Sequence, residues 1–283
     1  MKRILTIVVL TLFVWLMIFD APQTADALII NKTITIGDNN GDDYNGLIND
    51  TYVQDCSGGL FGPSHKNKNY GATTVFYTSS WGACQGSGQM RILIHIDTSF
   101  IPTNASVSAA TFYAYHYHDG EIGFHTDNID LKIRPILSGN DAWWPEGTKD
   151  DATADSGEPT WNHKEYDTVS WAGSAGLSTA DTDYGSGVAT STVATNSEYV
   201  GWDITSLAQD WISDNSNNLG FMLAHNTLCC SSFIISFYSS EIAGGTRRPY
   251  LELTYSYPAS NIYFKPGTNI QIKPEGIINI KPA

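Results

Sequence analysis

Positive charge is scarce in this chain. Its 15 Lys and Arg stand against 29 Asp and Glu, for a formal net charge of −14. An excess of that sign repels nucleic acid and anionic lipid, so nucleic-acid binding is excluded, and it offers carboxylates to divalent cations. Cysteine is also sparse, with 4 residues and no C-x-x-C pair, which argues against a structural zinc site. There is no G-x-S-x-G, no H-E-x-x-H and no P-loop. The acidic residues fall mainly in turns without visible pairing, and the chain is read as a non-enzyme. Beyond the first twenty positions no apolar run approaches the roughly 20 residues a membrane-spanning helix needs. No membrane span is expected once the N-terminus is removed.

That N-terminus holds the one long apolar run, residues 4–19, behind Lys2 and Arg3 and before Ala25-Asp26-Ala27. A basic head, a short apolar stretch and a small-residue exit form a secretory signal. Residues 1–27 are therefore expected to be an export signal, either removed or kept as an N-terminal anchor, giving a secreted or cell-surface protein. In an oxidising compartment cysteines pair by default. Cys56 and Cys84 both sit in Gly/Ser-rich loops flanking one extended segment, and a disulfide between them is expected. Cys229 and Cys230 are then free or an adjacent pair.

What is abundant points to sheet: 8 Trp, 15 Tyr, 11 Phe and 25 Gly, with alternating segments bounded by turn residues. Strands are predicted at 33–36, 75–78, 91–96, 107–118, 130–136, 198–203, 220–225, 232–238 and 250–255. One short helix is predicted at 205–213, with Leu207, Ala208, Trp211 and Ile212 on one face. This is an all-β reading, an antiparallel jelly-roll β-sandwich with one short helix. The irregular stretch 137–196 is too long for a plain connection, so it wraps the core or carries function. Residues 28–49 form an N-terminal strand and acidic loop, 50–256 the sandwich, and 257–283 a tail of Lys-Pro octapeptide repeats. Each repeat is a short alternating strand closed by a turn, suited to adding strands to this domain or to a neighbouring chain.

Several blocks recur in a recognisable order. They are Asp50-Thr51-Tyr52, Asn69-Tyr70-Gly71, Arg91 to Asp97 running into Ile101-Pro102, and Ala110 to Tyr115. Trp144-Pro145-Glu146-Gly147-Thr148, Thr160-Trp161-Asn162 and Trp202-Asp203-Ile204-Thr205 follow, then Asn218 to Phe221, Ser239-Ser240-Glu241 and Arg248-Pro249-Tyr250-Leu251. On these blocks the chain resembles a DNRLRE-type domain, an extracellular jelly-roll β-sandwich related to a carbohydrate-binding module family. The hexapeptide of that name is absent, His95 departs from the pattern, and residues 56–67 form an insertion. The resemblance implies a non-catalytic module, in some cases glycan-binding. In structural terms Glu241 is expected to pair with Arg91 or Arg248.

The candidate ligand residues are aromatic. Tyr113, Tyr115 and Tyr117 share one face of a strand, while His116 and His118 share the other with Phe112 and Ala114. The histidine face is expected to be core and the tyrosines half exposed, where they can stack on pyranose rings. Trp144 and Trp161 are expected to pin the long loop, leaving Trp143 as a ligand candidate. The loop from Asp38 to Asn45 alternates oxygen ligands around Gly41, so Asp38, Asn40, Asp42 and Asp43 are candidate calcium ligands of a structural site. Three functions follow from these residues: a secreted polysaccharide-binding module, a structural or adhesive protein assembling through its sandwich and C-terminal repeats, or a polysaccharide-degrading enzyme.

Overall fold

A strand with one wet face alternates apolar and polar residues, whereas a strand covered on both faces has no reason to. Both kinds occur here. The structure, a computed structural model, describes residues 29–37, 39, 41–56, 65–79, 88–117, 128–140, 144–194, 197–225 and 233–259, with the strand backbone of 269–272 and 278–281. In chain order the strands are β1 (Ile29–Gly37), β2 (Ile48–Gln54), β3 (Lys68–Asn69), β4 (Val75–Ser79), β5 (Met90–Ile96) and β6 (Ser106–Tyr115). Next come β7 (Ile129–Pro135), β8 (Ala152–Thr153), β9 (His163–Glu165), β10 (Val169–Ser170), β11 (Ala189–Val193) and β12 (Tyr199–Asp203). Helix α1 (Thr205–Ser213) precedes β13 (Phe221–His225), β14 (Ile234–Tyr238), β15 (Tyr250–Pro258), β16 (Asn269–Ile272) and β17 (Ile278–Lys281).

Residues 31–257 form one compact unit, an all-β sandwich with the expected short helix. The smaller sheet has the order β1-β15-β6-β12. The larger runs β11-β7-β13-β5-β4-β14, with β2 also paired to β5. In the smaller sheet parity is clean. Ala110, Phe112 and Ala114 of β6, Leu251 and Leu253 of β15, and Val200 and Trp202 of β12 point inward. Registers of Trp202 and Leu251 opposite Phe112 align these rows. Across the sandwich the Phe112 ring lies 5.1 Å from Phe221 of the larger sheet, edge to face. The Trp202 indole N–H donates to the Leu131 carbonyl at 3.1 Å, so its one polar atom is satisfied inside the core.

The centre of the larger sheet is buried on both faces. Every residue of β5 is buried, and so are Phe221 to Ala224 of β13. Its second face, with Val53, Leu93 and Met222, packs under Trp144, Trp161, Trp171 and Leu177 of the long irregular stretch. The expected role of Trp144 and Trp161 as pins therefore stands. Arg91, from the same strand face, is buried and donates to the carbonyls of Gly176 and Leu177 and to the Ser178 hydroxyl. Its guanidinium also lies 5.1 Å from the Trp161 ring. Its donors go to this segment and to Gln89 Oε1, so of the two expected partners of Glu241 it is not Arg91 that serves. Arg248 is the basic side chain that bears on Glu241.

Helix α1 buries Leu207, Ala208, Trp211 and Ile212, the face its spacing predicted. Thr205 fixes its start: the hydroxyl donates to Asp203 Oδ1 at 2.6 Å and accepts the Ala110 N–H at 2.9 Å. After the helix the chain re-enters the large sheet through Gly220. Its φ is +79°, and a Cβ there would sit 2.3 Å from the Ile94 carbonyl oxygen, so only glycine fits.

The disulfide expectation is also corrected. No disulfide joins two described residues, so the Cys56–Cys84 bridge is not retained. Cys56 is the one cysteine among them; it is fully buried, and its sulfur is engaged and not a free thiol. Cys84, Cys229 and Cys230 lie outside the described residues, as does the export signal. Among the described residues no helix is long and apolar enough to cross a membrane. In the tail, β16 and β17 form an antiparallel hairpin from Asn269 opposite Lys281 to Ile272 opposite Ile278, so the second and third repeat copies pair with each other.

Candidate functional site

Because Phe112 and Ala114 face the core, Tyr113 and Tyr115 must face out, and both are half-buried there. Strand register extends the row. Tyr250 of β15 lies directly opposite Tyr113, and Tyr199 of β12 opposite Tyr115. The Tyr113 and Tyr250 rings are nearly parallel with centroids 4.8 Å apart. Tyr115 meets Tyr199 edge to face at 5.1 Å and Tyr238 at 5.8 Å, and Tyr117 stacks on Tyr238 at 4.8 Å. Gly201 makes room: a Cβ there would come within 2.8 Å of the Tyr113 ring. The Arg247 guanidinium sits 5.2 Å above Tyr115. Beside these rings lies a cavity of about 310 Å³, lined by Tyr199, Tyr250 and Arg247 together with Asn39 and Asp42. Partial burial and the neighbouring phenols push the Tyr250 hydroxyl up to about 12, so it stays neutral and can donate a hydrogen bond at physiological pH. The result is an outward surface of six tyrosines with an amide, a carboxylate and a guanidinium at its edge. Flat rings suit C–H faces, and the polar groups suit hydroxyls.

Of the residues expected to bind ligand, the structure thus brings Tyr113, Tyr115 and Tyr117 together and places Trp143 outside the described residues. Tyr199, Tyr238 and Tyr250 were missed. A signal for two of them was present, since Val200 and Trp202, or Leu251 and Leu253, fix the inward parity and leave Tyr199 and Tyr250 outside. Of the acidic loop, Asp38 and Asn40 lie outside the described residues. Asp42 Oδ2 accepts the Asn39 N–H at 2.8 Å, and Asp43 Oδ2 accepts the Thr35 N–H at 2.8 Å. Both carboxylates thus brace the loop itself. His95 and His116 are buried, and among the described residues neither joins a group of three metal-ligating side chains.

Another constellation went unread in the sequence. Asp50 of β2, Glu146 and Glu241 each place one carboxylate oxygen so that all three lie within 4.8 Å of one another. Glu146 is set in place by Asn69, whose amide nitrogen donates to the Glu146 carbonyl at 3.0 Å while its oxygen accepts the N–H groups of Gly71 and Lys149. The Asp50 N–H donates to Glu146 Oε1 at 2.8 Å. Asp50 Oδ2 accepts the Ser240 N–H at 2.9 Å, and the Ser240 hydroxyl donates to Glu241 Oε1 at 2.9 Å. Burial, then repulsion from Glu241 and Glu146, holds the Asp50 carboxyl well above its ordinary value, and burial raises Glu241 likewise. This acidic cluster can coordinate a divalent cation. A cavity of about 480 Å³ beside His95 and Asn218 is lined by none of the three acids and none of the six tyrosines.

A family model described as the disaggregatase related repeat domain matches residues 65–253. The chain belongs to this family. No curated protein matches the chain. The disaggregatase related repeat domain takes in all six tyrosines, Glu146 and Glu241, while Asp50 reaches the cluster from β2, which precedes the matched stretch.

Proposed function

We propose that this protein is a secreted or cell-surface, non-catalytic module that binds polysaccharide through its tyrosine surface. The observation that carries the reading is the continuous outward row of six half-exposed tyrosines beside a cavity edged by Asn39, Asp42 and Arg247. The likeness of its sequence blocks to a DNRLRE-type, carbohydrate-binding fold supports the same reading. The family description relates the chain to a disaggregatase. The cation expected of the fold is calcium; Asp42 and Asp43 already accept backbone N–H groups of their own loop, and the cluster of Asp50, Glu146 and Glu241 is the set of carboxylates left to hold it.

Affinity-gel retention and glycan-array screening test the proposal. Each stacked ring contributes about 0.5–1.5 kcal/mol. Tyr113→Ala and Tyr250→Ala are therefore each expected to weaken binding about 2- to 10-fold without a large change in melting temperature. No retention of the wild type on any acidic or neutral glycan refutes the reading. Turnover of a polysaccharide, abolished by one carboxylate-to-amide change, would replace it with degradation. The tail hairpin favours a second reading, assembly with other chains through the repeats. A full-length protein that self-associates while a chain lacking residues 257–283 stays monomeric would establish it.

A further inference from the structure

We propose that Asp50, Glu146 and Glu241 form a calcium site that clamps together three segments distant in sequence: strand β2, the 144–148 turn and the 239–241 turn. Proximity of three acids alone does not make a site. What points to a ligand is the state of the remaining oxygens. Asp50 is 1 % exposed, and its Oδ1 is buried with no hydrogen-bond partner; Glu241 Oε2 is in the same condition. Buried polar atoms of native proteins are satisfied in the great majority, and a carboxylate oxygen is the most costly kind to leave bare. The other oxygen of each group is held by a fixed donor: Asp50 Oδ2 by the Ser240 N–H, Glu241 Oε1 by the Ser240 hydroxyl. Neither carboxylate can swing its bare oxygen out to water without giving up that bond.

Among the described residues the groups that bear most on Asp50 are Glu241, Glu146 and the Ser240 donors, so the charged ones add repulsion. On Glu241, Arg248 acts from one side. A cation between the three oxygens removes both the repulsion and the bare acceptors. An all-oxygen set selects a hard cation. Calcium–oxygen bonds of about 2.3–2.6 Å bridge oxygens spread over the observed span and tolerate irregular ligand sets. Magnesium, at about 2.0–2.1 Å, needs near-octahedral geometry, which carboxylates drawn from three separate segments and held by fixed donors do not supply. The site is independent of sugar binding, although the segment it anchors at Glu241 runs on to Arg247 and Tyr250.

The test uses the full-length protein stripped by chelator, with isothermal titration of calcium and of magnesium and thermal melting in each. Calcium is expected to bind at one site and to raise the melting temperature by several degrees. Because Asp50→Asn removes a core acceptor and can fail to fold, the diagnostic variant is Glu241→Gln at the half-buried position. It is expected to fold and to weaken calcium binding at least tenfold, while Asp42→Ala leaves it unchanged. The proposal is overturned by a wild type that neither takes up calcium nor changes its melting temperature, the three acids then sharing protons. It is also overturned by magnesium binding as tightly as calcium, or by loss of the site in Asp42→Ala and not in Glu241→Gln.

Discussion

Replacing Arg91 tests what keeps the long 137–188 segment on the larger sheet. The side chain is 3 % exposed, and burial pulls its guanidinium down to about 10, a charge held at a disadvantage of about 3 kcal/mol. Its fork satisfies two backbone carbonyls, Gly176 and Leu177, and covers Trp161. Arg91→Met fills most of the stem volume and relieves the charge, but it strands both carbonyls at about 1–3 kcal/mol each. The two effects partly offset, and the lost contacts to Ser178, Gln89 and the Trp161 ring add to the cost, for an expected net loss of about 1–3 kcal/mol. In a unit of this size each kcal/mol moves the melting temperature by about 2–4 °C, so a fall of about 2–12 °C is expected by differential scanning calorimetry. Arg91→Lys keeps a buried charge yet presents one point donor where a planar fork met several acceptors. It should therefore be more damaging than the methionine variant. If Arg91→Lys melts with the wild type, or above Arg91→Met, the fork is not what holds the segment and the reasoning fails.

Two further outcomes follow from the same geometry. In chelator, Asp50 and Glu241 have folded-state pKa values above their unfolded ones, so the folded protein holds the extra protons. That stability is complete below the ordinary carboxylate range, about 4, and is lost as pH rises through the raised values. The calcium-free protein should then melt higher at pH 5 than at pH 7 in a buffer series, with the difference reduced or reversed in millimolar calcium. Gly147→Ala should destabilise by more than about 2 kcal/mol, since φ there is +94° and a Cβ would meet the Asn69 amide at 2.3 Å; urea unfolding measures it. The same variant should weaken calcium uptake, because Asn69 positions Glu146.

The fold class, most of the strands and helix α1 were legible in the amino-acid sequence because parity and helical spacing are local. Phe112 and Ala114 alternate with Tyr113 and Tyr115, and one residue's position fixes its neighbours' faces. Strand β2 was not predicted, for a reason tied to the acidic cluster. Its Ile-Asn-Asp-Thr-Tyr-Val-Gln buries Asp50 and Thr51, polar residues that break the apolar pattern a strand reading depends on. The sequence by itself also determined that the chain is acidic, aromatic-rich and lacking familiar catalytic signatures. Tertiary structure decided which side chains meet. Register set Tyr250 beside Tyr113 and Tyr199 beside Tyr115 across gaps of more than eighty residues. Folding also carried Asp50, Glu146 and Glu241 to within 4.8 Å of one another. Such meetings depend on strand order and on loops closing over a sheet, and no local spacing encodes either.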